Sequence, residues 1–233
     1  MHVITLASRK GGAGKSTLTA QLAAHAYTLG RRVHIIDADP QGSLKLWHSR
    51  RKDGLPKLVT PERGLERAIA FAMIDEMDYV FIDTAPTMWV VVQEAMRAAT
   101  MVVIPARPGF FDLAAITETV KTARERDRPY AVVLNACPSR RDDKEMALVA
   151  QSRTELEALQ IPVWAGQVSQ RAGFQSTLAA GASATEIGPQ TAAAAEIAAL
   201  WSAIERSVTA IETAKFEAAA PANGGGVTGD QAA

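Results

Sequence analysis

The chain is predicted to fold as an α/β domain, a mostly parallel twisted sheet of about seven strands with helices on both faces. Three features carry that prediction. Short apolar runs rich in β-branched residues alternate with helical patterns as far as about residue 165. The first run enters a glycine-rich loop that leads straight into a helix, and two later runs each end in aspartate. Strands separated by helical crossovers lie parallel, and the crossovers cover the sheet on both sides.

The elements follow in order. Residues 2–7, His-Val-Ile-Thr-Leu-Ala, read as a buried strand. Next comes Lys10-Gly11-Gly12-Ala13-Gly14-Lys15-Ser16-Thr17, which fits G-x-x-x-x-G-K-[ST] with the first glycine relaxed and K-G-G-x-G-K-[ST] without relaxation. Glycines let successive backbone N–H groups turn inward around a polyphosphate. Lys15 supplies a point charge for the β- and γ-phosphates, and the Ser16 hydroxyl is placed to ligate Mg²⁺. One lysine suffices for that work, so Lys10 needs a separate role. Leu18, Leu22, Ala23, Ala26 and Leu29 then recur at helical spacing, and Gly30 caps the helix. Such a helix turns its N-terminus towards bound phosphate.

A second strand over 32–37 runs into Asp37-Ala38-Asp39-Pro40-Gln41-Gly42-Ser43. Two carboxylates at a strand's C-terminal end sit on the edge where parallel sheets bind ligands. A strand over 79–83 ends at Asp83, before Thr84-Ala85-Pro86, in the form of a Walker B strand whose aspartate reaches Mg²⁺ through water. Leu44, Trp47 and His48 suggest a short helix, and 56–60 an edge strand. Helices are expected over 62–76, 88–99, 112–126 and 143–159, with strands over 101–104, 130–135 and 161–165. From near Pro189 a long helix carries the stripe Glu196, Ile197, Leu200, Trp201, Ile204, Val208 and Ile211, which is expected to dock on the domain. Residues 1–216 form the domain; 217–233, rich in alanine and glycine, read as a disordered tail.

Composition excludes several classes. The 233 residues include 25 Lys and Arg against 25 Asp and Glu, so any nucleic-acid binding must come from a local patch. A single cysteine, Cys137, forms no internal disulfide and fits a reducing compartment. No apolar stretch nears the roughly 20 residues of a membrane span. The first strand begins at residue 2, which leaves no room for a signal peptide, and a cytoplasmic location is expected.

Together, Lys10 to Thr17, Asp37 to Ser43 and Asp83 to Pro86 resemble the ParA/MinD family of deviant-Walker ATPases, with a P-loop NTPase-like fold. Asp39-Pro40-Gln41-Gly42 leans towards the ParA branch. Ile104 to Pro108 with Asp112-Leu113 is similar to a later family segment, as is Ser169 to Gln175 followed by Gly181 and Glu186. The resemblance covers residues 1 to about 210 and weakens after the N-terminal third. It implies a slow Mg²⁺-dependent ATPase that forms an ATP-dependent homodimer. It makes Lys10, Lys15 and Asp39 the catalytic set. Lys10 reaches a partner's phosphates, Asp39 orients or activates the water, and Asp37 is structural. Gly11, Gly12, Ala13, Gly14, Ser16 and Thr17 complete the nucleotide loop, and Ser16 and Asp83 the metal site. Asn135, at a strand end, either contacts adenine or serves as a cap.

The same resemblance implies nonspecific DNA binding near the nucleoid and a ParB-like or cargo-adaptor protein that stimulates hydrolysis. Arg140, Arg141 and Arg171, and a helix bearing Lys121, Arg124, Arg126 and Arg128, are the candidate phosphate contacts. A MinD-like membrane-surface regulator is the alternative, although Glu196, Glu205 and Glu212 offset Arg206 and Lys215 on the terminal helix. No helix-turn-helix precedes the first strand, and Met88-Trp89 depart from the smaller residues common in the family. Iron-protein and cluster-scaffold relatives need more cysteines than Cys137. A tyrosine kinase of this loop class carries a C-terminal tyrosine cluster, and the last tyrosine here is Tyr130.

Overall fold

In the computed structural model, which describes residues 1–219, strand and helix alternate as expected. β1 (His2–Leu6) leads to α1 (Lys15–Thr28), β2 (Val33–Ala38) to α2 (Ser43–His48), and β3 (Lys57–Val59) to α3 (Leu65–Ile74). β4 (Tyr79–Thr84), α4 (Trp89–Ala98), β5 (Met101–Ala106), α5 (Phe110–Glu125), β6 (Tyr130–Leu134) and α6 (Ala147–Ala158) continue the pattern. Three helices then follow in succession: α7 (Ala172–Ala179), α8 (Ala184–Ile187) and α9 (Ala192–Ala219). The sheet is parallel throughout, in the order β3-β2-β4-β1-β5-β6.

The pleat divides each strand's side chains between two cores. Ile4, Leu6, Ile35, Phe81, Val103 and Val133 pack beneath α1 and α9. Val102, Ile104, Val132 and Leu134 meet α4, α5 and α6, while Val3, Ile36, Val80 and Ile82 meet α3 and α4. The stripe on α9 docks as expected. Ile197, Leu200, Trp201, Ile204 and Val208 are buried, and Trp201 meets Tyr79 edge-on at 4.8 Å between ring centroids.

Several expectations are corrected. Six strands pair among the described residues, against about seven expected. Beyond β6, Val163 forms an isolated bridge with Val132, and Ser169 forms another with Cys137. Trp164 donates to the Val132 carbonyl and the next donor, to Leu134, is Val168, so residues 165–167 loop out and no continuous ladder forms. The helix expected from residue 143 begins at Ala147, because Asp142 and Asp143 take left-handed φ of 50° and 61° in a turn closed by Arg141 and Lys144. Leu29 lies past the end of α1 and is exposed rather than on its buried stripe, and Gly30 takes φ of 80° just beyond the helix. α7 and α8, of eight and four residues, are too short to show a period in the sequence. α9 continues through Ala219, past the expected domain end at 216; the rest of the expected tail, 220–233, lies outside the described residues.

Candidate nucleotide-binding site

β1 delivers the chain into the glycine loop, and α1 begins at Lys15 with Gly14 as its left-handed N-cap. Asn135, buried at the end of β6, donates its Nδ2–H to the Ala13 carbonyl at 2.8 Å. A Cβ on Gly14 would lie 2.0 Å from that same nitrogen, so the brace and the glycine require each other. The Asn135 N–H thus supports the loop itself, a use that neither sequence reading anticipated. Lys15 is buried, and its ammonium donates to the carbonyls of Ser8 at 3.2 Å and Lys10 at 3.4 Å. Burial lowers its pKa, opposed by Asp83 and Asp39.

Sheet register gathers the acids. Asp37 on β2 stands opposite Asp83 on β4, and Asp83 stands opposite Leu6 at the end of β1. Asp37 is buried and accepts the N–H groups of Asp39 and Lys45, each at 3.2 Å; burial raises its pKa against those two bonds. Asp39, half-buried on the cleft wall, accepts the Gln41 N–H at 2.9 Å. Asp83 is fully buried, and neither carboxylate oxygen has a hydrogen-bond partner. Burial pushes its pKa up to about 7; the nearby Ser16 hydroxyl opposes this without closing a bond to either oxygen, Asp37 adds to it, and Lys15 opposes it.

Orphaned carboxylate oxygens beside a hydroxyl fit a hard cation that brings its own water. Among the described residues no three His, Cys, Asp or Glu side chains converge as a cage, so such an ion would depend on phosphate oxygens as well. Ser16 and Asp83 would hold Mg²⁺, which when bound supplies positive charge to the phosphoryl oxygens.

From this loop a cleft of about 810 Å³ runs towards α7. Asp39, Arg107, Asn135, Gln170, Arg171 and Phe174 are among its lining residues. Arg107, just after β5, has a guanidinium nitrogen 3.7 Å from where a Cβ on Gly12 would be. Arg107, Phe174 and Gln175 join the site although their sequence signal is only the later family-like segments. Lys10 points elsewhere: its ammonium lies 3.8 Å from Asp112 on α5, and the side chain is 42% exposed. Next to it the Arg9 guanidinium lies over the Trp89 ring, 4.7 Å from its centroid.

The three arginines named for DNA do not form one patch of free charge. Arg171 pairs with Glu196 at 2.7 Å and lines the cleft, and Arg140 pairs with Glu145 at 3.2 Å. Arg141 is exposed. On α5 and the turn after it, Arg124 bonds Tyr130 and the Gln160 carbonyl.

Several known proteins are similar to this chain. Maintenance of carboxysome distribution protein A from Halothiobacillus neapolitanus is 27% identical over 198 residues, spanning 83% of this chain and 91% of its own. The chromosome-partitioning ATPase Soj of Thermus thermophilus is 29% identical over 152 residues, 52% of this chain and 61% of Soj. The septum site-determining protein MinD of Pyrococcus horikoshii, solved with Mg-ADP, shares the fold with a TM-score of 0.67 at 15% identity, covering 90% of this chain and 98% of that one. Residues 4–183 match the family described as the CobQ/CobB/MinD/ParA nucleotide binding domain, and with the loop, the paired strand-end aspartates and the parallel sheet in place, the chain belongs to that family.

Proposed function

We propose that this protein is a Mg²⁺-ATP-dependent switch ATPase that dimerises on ATP and positions DNA or another large cargo. The observation that carries the nucleotide part is Asp83, whose two buried, unpartnered oxygens lie at the foot of a glycine loop holding a buried lysine. Lys15 and the loop N–H groups bind the β- and γ-phosphates, and Asp39 on the cleft wall orients the attacking water. Asn135 holds the loop in its receiving shape.

Lys10 supports the switch. It stands at the front of the loop, tethered to Asp112 only at 3.8 Å and partly in solvent. A long, exposed ion pair contributes little, so the ammonium exchanges it readily for the phosphates of a second copy. Dimer stability then depends on the γ-phosphate. The names of the two relatives above, one for carboxysome distribution and one for chromosome partitioning, support positioning as the output.

DNA is the surface proposed, with exposed Arg141 and its neighbour Arg140 as contacts; Arg171 contributes only if it leaves Glu196. α9 already uses its apolar stripe against the sheet, and among the described residues no helix is long and apolar enough to cross a membrane. The test is binding of Asp39→Ala protein to sequence-unrelated duplex DNA in Mg²⁺-ATP and in Mg²⁺-ADP. Binding in ATP alone that weakens as salt rises supports the proposal. Binding to anionic vesicles instead of DNA would replace it with the membrane-surface reading, and failure to bind ATP would remove both.

A further inference from the structure

The side of the cleft lined by Ser169, Gln170 and Arg171 is held by one carboxylate. Glu196, in the second turn of α9, accepts four hydrogen bonds from a single short segment. The donors are the Ser169 N–H at 2.9 Å, the Ser169 hydroxyl at 2.7 Å, and Arg171 Nη2 at 2.7 Å and Nε at 3.3 Å. Ser169 is buried, and Gln170 between them donates its N–H to the Cys137 carbonyl at 2.8 Å. The segment is therefore fixed on one side by β6's continuation and on the other by α9.

Gln170 and Arg171 line the main cleft and also a smaller hollow just beyond it, with Cys137, Pro138 and Gln175. When Lys15 holds the phosphates, the nucleoside must extend along the cleft towards this segment. We propose that Glu196 is a positioning residue for the nucleoside end of the site, holding Arg171 and the backbone of residues 169–171 in the shape that receives ribose and base. This inference rests on the nucleotide reading above.

Two observations favour positioning over anchoring. α9 is already seated by Ile197, Leu200, Trp201, Ile204 and Val208, so its attachment does not need Glu196. Moreover, the Arg171 side chain is 29% exposed, so solvent screens part of its pairing with Glu196. A planar fork on a carboxylate instead fixes direction.

The test compares Mg²⁺-ATP, Mg²⁺-ADP and Mg²⁺-tripolyphosphate binding by calorimetry for the wild type, Glu196→Gln and Arg171→Lys. Arg171→Lys keeps the charge and removes the fork, and it serves if Glu196→Gln fails to fold. ATP and ADP affinity should fall about tenfold in both variants. Tripolyphosphate affinity should stay at the wild-type value, because the loop alone holds it. Unchanged ATP affinity in the variants overturns the inference, and so does an equal loss for tripolyphosphate, which would mark a general structural role. A wild type that binds neither ATP nor tripolyphosphate overturns the nucleotide reading and this inference with it.

Discussion

At the phosphate end of the cleft, Lys15 and Ser16 are adjacent in the chain, and Asp83 joins them through strand register alone. At the proposed nucleoside end, Glu196 meets Ser169 and Arg171 from 25 to 27 positions away. Arg51, just after α2 and next to the cleft-lining Arg50, forks onto Glu186 at 2.7 and 3.1 Å and lies over the Trp47 ring. Gly181 packs so closely there that a Cβ on it would lie 2.5 Å from the Arg50 carbonyl carbon. One end is a local motif on a rigid sheet edge; the other is a set of long-range arginine–carboxylate forks between helices. The first places its groups by chain adjacency and strand register. The second does so by packing, so it can vary while the first stays fixed.

Substitutions can break or sharpen that contrast. The largest effect is expected for Lys15→Ala at the phosphate end, with ATP affinity lower by roughly 100-fold or more and the fold intact, read by calorimetry and circular dichroism. Arg51→Ala should show the opposite balance. Losing the fork leaves Glu186 half-buried without its partner, and thermal unfolding should report a loss of about 2 to 3 kcal/mol while tripolyphosphate binding persists. If Arg51→Ala removed tripolyphosphate binding as well, the two ends would not be separable.

Asp83→Asn sharpens the phosphate end through pH. The folded-state pKa of Asp83, about 7, lies above its free value of 3.8, so folding favours the protonated form. Its contribution therefore falls as pH rises from about 4 to about 7 and is level above that. In the absence of nucleotide, wild type minus Asp83→Asn stability should decline over that window; a flat difference would show that the carboxylate finds partners in solution. Lys10→Ala carries the smallest expected effect on binding, with ATP affinity within about twofold of wild type because its ammonium lies outside the cleft lining. Light scattering should nevertheless show the ATP-dependent dimer lost. A dimer of undiminished stability would remove the proposed role of Lys10.

Legibility in the sequence follows the same division. The strand–loop–helix unit and the aspartates ending β2 and β4 were readable because their period and turn chemistry are local. Asn135 was singled out, but its bond to Ala13 was not foreseen, since 122 positions separate the two residues. Arg171 is expected as a candidate DNA-phosphate contact, because nothing in its neighbourhood announces a carboxylate on a later helix. The apolar run at 161–165 predicts a last strand, but pairing stops after Trp164, where residues 165–167 loop out before Val168 donates to Leu134.

Local sequence suffices for the parallel α/β class and the glycine loop, and for naming Lys15, Ser16, Asp39 and Asp83 as candidate site residues. Those features depend on backbone freedom at glycine, on alternating hydrophobicity and on charge at strand ends, all properties of short stretches. Only the tertiary structure decided that Asp83 loses every hydrogen-bond partner, that Lys10 turns to Asp112, and that α9 reaches back to the cleft through Glu196. Burial and long-range pairing are set by which elements pack together, and that is a property of the whole chain.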